Sequence, residues 1–349
     1  MSPATASCAT RFAVWLRGRL GRAVLASYAA ALLMPWPGLW LRRPHSLGSG
    51  GIGLHLPPVL LGVLLFAAGF QIRLHALTGL LRRPLALLAA PALHLTVPLV
   101  LVPVLIVLLQ QTPDSDHGSG IVTAMVLIVT MPVAANATVW TAKAAGDQPT
   151  IVAAVLGSTL VSPLTTPLVI SSLATLLHGP YAHTLSAAAQ LTRGTFALSG
   201  IVLPCVAGLL CRIVTPAAWL GFLESGVTTC ALLASLATTY VNASGALAPC
   251  LAHPRPLLVG AAVAAAAGTC GASFLLGHAA GATLRLDRGT RSSLALACGM
   301  SNSSAGAVMI TTAMPDKPHL LLPVLAYGLV QKSLAGLVVR QALPAPSPS

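Results

Sequence analysis

The feature that most constrains this chain is the length of its uncharged apolar runs. Residues 84–109 contain no Asp, Glu, Lys or Arg, and several other stretches are almost as apolar. Charged residues are 7% and hydrophobic residues 56% of the 349 residues, whereas a soluble domain carries about 25% charged residues. The runs exceed the roughly 20 residues that a helix needs to cross a bilayer, and they lack the strict alternation of barrel strands. The sequence therefore predicts an all-α integral membrane protein.

The runs predict about ten transmembrane helices. Short polar or Pro-Gly-rich stretches separate them, and arginines stand beside several of their ends. The predicted spans are 23–41, 55–72, 84–109, 119–145, 149–177, 196–214, 217–240, 255–283, 291–314 and 318–341.

The formal charge of +13 predicts an orientation in the membrane rather than binding to nucleic acid. The basic residues punctuate the ends of apolar runs and do not cluster with aromatic residues. With a cytoplasmic amino terminus, thirteen of the nineteen Lys and Arg fall on the inner side and five on the outer side. We therefore expect a multi-pass protein of the cell (inner or plasma) membrane, with both termini cytoplasmic and residues 114–117 outside.

Two polar interruptions lie inside predicted spans, at 132–138 and 299–306. Each is followed by a turn in which Asp comes two residues before Pro, at Asp147 and at Asp316, which are 169 residues apart. This spacing predicts two five-helix halves of inverted topology, with helices 4 and 9 broken and crossing. The expected repeats are residues 23–177 and 196–341, joined by a linker at 178–195. A basic cytoplasmic amino-terminal segment, 1–22, precedes them, and a Pro/Ser-rich tail, 342–349, follows.

Matched breaks in two inverted halves indicate a transporter binding site near the membrane midplane. A broken helix presents N–H groups at one new end, which attract anions, and carbonyl groups at the other, which attract cations. Hydroxyl and amide side chains surround both breaks, although such residues also serve as packing contacts between membrane helices. The candidate substrate-binding residues are Asn136, Thr138, Thr141, Ser301, Asn302 and Ser303.

Few ionisable residues fall within the predicted spans. His94 lies near the middle of the third span, so it is either a functional group or a neutral histidine bonded to a neighbour. Lys332 is interpreted as a side chain that reaches the inner surface, and Glu224 as interfacial. We find no nucleophile with a base, no metal-ligand cluster and no phosphate-binding loop, so we predict neither an enzyme nor a cofactor.

The residues around both breaks resemble the bile acid:sodium symporter family, within the wider group that holds arsenite effluxers and auxin carriers. The similar segments are 132–141 leading to Gly146-Asp147, then 158–167, 299–302 and 66–70. The resemblance extends over about residues 23–341. It implies ten helices in a panel domain and a core domain, with sodium and organic-anion sites near the crossing of the broken helices.

The chain departs from the family pattern at the ion-binding positions. His94 replaces a Gln, Ala137-Thr138 replaces Ser-Asn, Ala297 replaces a Glu and Ser301 replaces a Gln. The loss of the carboxylate argues against sodium coupling. A histidine with an ordinary pKa of about 6.5 offers proton coupling as one alternative, and simple uniport is the other. The candidate ion-coupling residues are His94, Thr138, Ser158, Thr159, Ser162 and Ser301.

We therefore expect a secondary active transporter of a small organic solute, an organic anion, whose partners are that substrate and the lipid bilayer. The arsenite effluxers carry a Cys where this chain has Val133, which argues against arsenite as a substrate. The alternative is a non-transporting membrane sensor or scaffold on the same fold, which the lost ion ligands favour.

Overall fold

The computed structural model describes residues 8–43, 45–47, 52–72, 84–109, 119–177, 180–193, 196–252, 255–314 and 317–342. These residues are almost entirely helical. The α-helices are α1 Cys8–Gly18, α2 Leu20–Leu33, α3 Pro35–Arg42, α4 Leu56–Phe70, α5 Pro84–Leu109, α6 Ser119–Val129, α7 Ala137–Lys143, α8 Gln148–Ala174, α9 Pro180–Arg193, α10 Leu203–Val214, α11 Ala217–Ala252, α12 Pro256–Thr283, α13 Arg288–Gly299, α14 Ser303–Ala313 and α15 Leu321–Ala342. A π-helical segment, Phe196–Val202, precedes α10, and a 3-10 turn, Pro318–Leu320, precedes α15.

Within the described ranges, five helical segments are long and apolar enough to cross a membrane: Pro91–Leu109, Gln148–Ala174, Ala217–Ala248, Pro256–Thr283 and Leu321–Ala342. The bent pair α2–α3 makes a sixth if it forms one span. A helix satisfies its own backbone hydrogen bonds, which the bilayer core cannot do. The chain is therefore an all-α, multi-pass membrane protein, while the ten spans and their inverted arrangement stay predictions.

The structure differs from the expected elements in four places. The span expected at 23–41 bends by 92° between α2 and α3, because Pro35 has no N–H with which to continue the helical ladder. The expected linker 178–195 contains α9, and the expected amino-terminal segment 1–22 contains α1. The Gly-rich stretch after α3 carries an antiparallel hairpin of β1 His45–Leu47 and β2 Ile52–Leu54, with His45 paired to Leu54.

The chain divides into two compact units, each built from two separate stretches. Unit 1 comprises Met1–Ile72 and Leu198–Pro254, and unit 2 comprises Arg73–Ala197 and Arg255–Ser349. In unit 1, α4 and α10 cross at two glycines. A Cβ on Gly69 would lie 1.9 Å from the Cys205 carbonyl oxygen, and one on Gly208 would lie 2.0 Å from that of Phe66. This crossing requires a residue without a side chain on both helices.

Unit 2 contains α5–α9 and α12–α15, with both polar interruptions. Helix α6 lies in its core, with residues 120–129 all buried. Helices α12 and α13 pack so closely that a Cβ on Gly277 would lie 2.6 Å from the Leu294 carbonyl oxygen. The interruptions are thus enclosed by packed helices, the surroundings that irregular backbone requires inside a membrane.

Candidate functional site

The first interruption separates α6 from α7 at residues 130–136. Pro132 cannot donate a backbone hydrogen bond, and its ring disfavours helical backbone at the preceding residue. Thr130 donates its hydroxyl to the Val126 carbonyl oxygen at 2.7 Å, which competes with the helical ladder at the end of α6. Local sequence therefore explains why the helix stops here.

The second interruption separates α13 from α14 at Met300–Asn302. Asn302 is the N-cap of α14, and its Oδ1 accepts a hydrogen bond from the Ala305 N–H at 3.1 Å. Asn is among the preferred N-cap residues because its side-chain oxygen satisfies a free N–H group. A second helix therefore starts at Ser303.

The two interruptions meet as a short antiparallel bridge between Val133 and Ser301. The Ala134 N–H donates to the Met300 carbonyl oxygen at 2.7 Å, and the Asn302 N–H donates to the Pro132 carbonyl oxygen at 2.9 Å. Backbone groups that each broken helix leaves unpaired are therefore satisfied by the other. The expected meeting of the two breaks is confirmed for these residues.

Side chains from neighbouring helices form hydrogen bonds with the carbonyl groups at the end of α6. His94 of α5 lies with Nε2 2.7 Å from the Met131 carbonyl oxygen, and Thr166 of α8 donates to the Thr130 carbonyl oxygen at 3.1 Å. A carbonyl oxygen only accepts, so Nε2 of His94 must carry the proton. In addition, the Val133 N–H donates to Ser158 Oγ at 3.0 Å.

The end of α13 is capped in a similar way. Tyr327 of α15 donates its hydroxyl to the Gly299 carbonyl oxygen at 3.2 Å, and Cys270 Sγ of α12 lies 3.7 Å from the same oxygen. Carbonyl oxygens of this kind could bind a cation such as sodium. Here Thr130, Met131 and Gly299 already use theirs within the protein.

The predicted substrate-binding residues divide into satisfied and unsatisfied groups. Thr138 donates to the Ala135 carbonyl oxygen at 2.8 Å, Ser303 Oγ accepts from Gln331, Asn302 caps α14, and Ser301 is buried in the bridge. In contrast, Asn136 Oδ1 and Thr141 Oγ1 are buried without a hydrogen-bond partner in the described part of the chain. Two polar atoms near the crossing thus remain able to bind a ligand.

The hydroxyl residues of α8 support the first interruption. Ser158 also donates to the Val155 carbonyl oxygen at 3.2 Å, and Ser162 donates to that of Thr159 at 2.8 Å. Ser158, Ser162 and Thr166 join His94 and Thr130 in lining a cavity of about 50 Å³. This space is large enough to hold water.

The positions that depart from the family pattern are apolar and closed. Ala137 and Ala297 are both 0% exposed. No helix of unit 2 within the described ranges contains Asp or Glu. Asp147 and Asp287 stand just before α8 and α13, where each accepts hydrogen bonds from the backbone and hydroxyl of a Thr three residues later. No carboxylate therefore lies on the helices that form the crossing.

Sequence reasoning missed Tyr327 and Gln331 of α15. Tyr327 caps the second break, and Gln331 donates from Nε2 to Ser303 Oγ at 3.3 Å. The 169-residue offset between Asp147 and Asp316 contained the signal, because it pairs Ser158 with Tyr327 and Ser162 with Gln331. Asp316 itself lies outside the described residues, as do Asp114 and Asp116.

Comparison with known proteins assigns the family. The profile of the sodium bile acid symporter family matches residues 58–251, more than half of the 349 residues, including the first interruption and its neighbouring helices. No curated protein matches the chain significantly. The family consists of membrane transporters rather than enzymes, and the apolar helices agree with this. On these grounds the chain belongs to the sodium bile acid symporter family.

Proposed function

We propose that this protein is a secondary carrier of a small organic anion that works without sodium. The observation that carries the proposal is the bridge between Val133 and Ser301, which joins two broken apolar helices inside one unit. Broken helices of this kind form the substrate sites of many transporters. The substrate would bind beside the crossing, where the Thr141 hydroxyl has no partner in the described part of the chain and can donate to an anion, while Asn136 Oδ1 can accept from a hydroxyl group of the solute.

The division of the chain supports ten spans in two inverted halves. Each compact unit combines a stretch from the first half with a stretch from the second half. In an inverted-repeat transporter, corresponding parts of the two halves assemble together, and alternating access moves one assembly against the other. The panel and core domains implied by the family resemblance would then correspond to unit 1 and unit 2.

Three observations argue against sodium. Ala297 stands where the family carries its carboxylate, side chains occupy the carbonyl groups at both breaks, and the described helices of unit 2 lack Asp and Glu. Burying an ion without compensation costs several kcal/mol even after relaxation. A sodium ion would therefore bind weakly at this crossing.

Proton coupling through His94 is the alternative driving mechanism. Its Nε2–H is engaged by the Met131 carbonyl oxygen, which leaves Nδ1 as the nitrogen able to bind a proton. The ring also lines the small cavity between α5 and α8, which is large enough for water. A proton could reach the ring through that space.

The test is uptake of a radiolabelled carboxylate panel, including cholate, by proteoliposomes. Internal and external sodium is first replaced by choline, and a pH gradient is then imposed on the wild type and His94→Gln. We expect flux that persists in choline. Flux that collapses without sodium would reject sodium independence, and a pH response retained in His94→Gln would reject coupling through His94. No flux across the panel, together with retained carboxylate binding, would favour the sensor or scaffold alternative.

A further inference from the structure

Helix α1 precedes the first candidate span and is too short to cross a bilayer. It covers Cys8–Gly18, 11 residues, which at 1.5 Å per residue is about 16 Å, against a hydrocarbon core of about 30 Å. Residues 11–22 also include four arginines. Helix α2, which begins at Leu20, opens the bent pair that makes the possible sixth span. Helix α1 therefore lies next to a membrane-spanning segment without being one.

One side of α1 packs against the protein and the rest is uncovered. Ala13 and Leu16, three residues apart, are buried, and α1 contacts α11 of the same unit. Phe12, Val14 and Trp15 are exposed. Neighbouring exposed apolar side chains mark an interaction surface, and beside a membrane-spanning helix the apolar phase within reach is the bilayer. The uncovered side of α1 therefore faces lipid.

Aromatic and basic side chains form a column on this exposed surface. The rings of Phe12 and Trp15 are stacked, with centroids 6.0 Å apart, and the Arg19 guanidinium lies 4.7 Å from the centroid of the Trp15 ring. Tryptophan is enriched at membrane–water interfaces, because its body is apolar while its N–H requires a polar partner. The guanidinium stacked on it places a positive charge at the same level, that of the lipid headgroups.

The arginines around this column have almost no acidic counterpart in the chain. Arg11, Arg19 and Arg22 are exposed. The first 113 residues contain no Asp or Glu, and the sequence of unit 1 contains seven Arg and one acidic residue, Glu224. One carboxylate cannot balance seven guanidinium groups, so most of this charge is balanced from outside the chain. Basic clusters next to a membrane-spanning helix attract anionic lipid headgroups.

We propose that α1 is an interfacial helix that binds anionic phospholipids, such as phosphatidylglycerol, in the cytoplasmic leaflet. Its exposed aromatic residues insert at the level of the headgroups, and Arg11, Arg19 and Arg22 donate hydrogen bonds to lipid phosphates. Phosphatidylcholine also carries a phosphate, but its choline cation cancels that charge, so the arginines favour lipids with a net negative charge. The excess of basic residues predicts the cytoplasmic side. This inference is independent of the proposed function, because it concerns a lipid and not a transported solute.

The test measures which lipid lies against Trp15. The full chain is placed in nanodiscs that contain brominated phosphatidylglycerol or brominated phosphatidylcholine at equal mole fraction, because bromine quenches tryptophan fluorescence on contact. The contribution of Trp15 is the difference between the wild type and Trp15→Phe, so the other four tryptophans stay in place. We expect phosphatidylglycerol to quench Trp15 more strongly. This preference should weaken when the salt concentration is raised about tenfold, because salt screens exposed charges.

Replacement of the arginines tests their role in lipid selection. Arg11→Gln, Arg19→Gln and Arg22→Gln are combined in one variant. Each arginine near an anionic surface contributes about fivefold to the affinity, so the preference of Trp15 for phosphatidylglycerol should disappear. The corresponding triple Lys variant should keep most of the preference, because it retains the charge while losing the fixed guanidinium geometry.

Trp36 is the matched control, because it is exposed on α3 of the same unit and has no Arg or Lys within four residues along the chain. The difference between the wild type and Trp36→Phe should show quenching without a preference for either lipid. Absence of quenching of Trp15 by both lipids would overturn the interfacial position of α1. A preference that survives in the glutamine variant, or an equal preference at Trp36, would overturn binding by the arginines.

Discussion

His94 and Tyr327 replace the hydrogen bonds that an intact helix would provide at the two interruptions. Each comes from a neighbouring helix and reaches a carbonyl group left free by a break, at Met131 and Gly299 respectively. A buried carbonyl group without a partner costs roughly 1–3 kcal/mol, so these side chains stabilise the broken backbone. The same contacts hold the carbonyl oxygens that an ion would otherwise use.

Replacement of His94 separates its capping role from simple packing. His94→Leu should lower the free energy of unfolding by about 1–3 kcal/mol, because the Met131 carbonyl group loses its donor. His94→Gln should cost less, since its amide can still donate. Chemical denaturation of detergent-purified protein measures both effects.

Thr96→Val is the control for this comparison. Thr96 lies on the same helix, is exposed and donates only within that helix, to the Ala92 carbonyl oxygen. We expect a change within about 0.5 kcal/mol, as for surface substitutions in general. Equal stability of His94→Leu and the wild type would contradict the capping role.

At the scale of elements, the molecule depends on close backbone contacts between helices. In unit 1 the α4–α10 crossing is reciprocal, because Gly69 faces the Cys205 carbonyl group and Gly208 faces that of Phe66. Glycine at membrane helix interfaces allows the backbones to approach and gain packing contacts. The crossing therefore tolerates no added methyl group without a shift of one helix.

Gly69→Ala should destabilise the protein by about 1–3 kcal/mol, the usual cost of overpacking. The new Cβ would lie 1.9 Å from a carbonyl oxygen, which cannot rotate away as a side chain would. Gly62→Ala, on the same helix, is the control, since the nearest atom to its Cβ is 3.9 Å away. Thermal unfolding of the two variants measures the difference, and a Gly69→Ala protein as stable as Gly62→Ala would show that the helices are further apart.

The bridge between the interruptions can be tested by disulfide formation. Its two hydrogen bonds flank Val133 and Ser301, so this is a non-hydrogen-bonded antiparallel pair, with Cα atoms typically about 4.5 Å apart. This distance falls within the disulfide range. In a background without the native cysteines, Val133→Cys with Ser301→Cys should cross-link under mild oxidation. Mass spectrometry of the digested protein detects the product.

Val133→Cys with Met309→Cys is the matched control, because Met309 is buried on the same side of the second break but eight residues further along. That distance along a helix is about 12 Å, too far for a disulfide. Cross-linking of both pairs alike would mean that the crossing is mobile, and absence of cross-linking in the first pair would argue against the bridge.

At the scale of the whole molecule, the distribution of basic residues predicts the orientation. Thirteen Lys and Arg against five favour cytoplasmic termini and an outward 114–117 loop, which lies outside the described residues. In a cysteine-free background, Ser115→Cys in intact cells should react with an impermeant thiol reagent. Arg288→Cys is the control, because Arg288 is exposed and is predicted to lie on the cytoplasmic side, where the impermeant reagent cannot reach it in intact cells. Reaction of Ser115→Cys only after permeabilisation would reverse the topology.

Much of the site's backbone could be predicted from local chemistry. Proline and asparagine favour a helix interruption at Pro132 and at the N-cap residue Asn302, and the matched places of the two breaks in the two halves predicted that they meet. The bend at Pro35 was not predicted, because proline also occurs in the first turn of unbent helices. The helix at residues 180–193 was not predicted, because that stretch is only weakly apolar.

The sequence by itself determined the membrane class, the two interruptions and the family, because hydropathy and backbone restrictions act within a few residues of the chain. Only the tertiary structure decided that His94 and Tyr327 cap the breaks and that Gln331 reaches Ser303. It also placed Gly336 of α15 beside Trp140 of α7. These contacts join residues far apart in the chain, and which donor meets which carbonyl group depends on the register between packed helices. That register is set by the packing of many side chains at once, so no short segment encodes it.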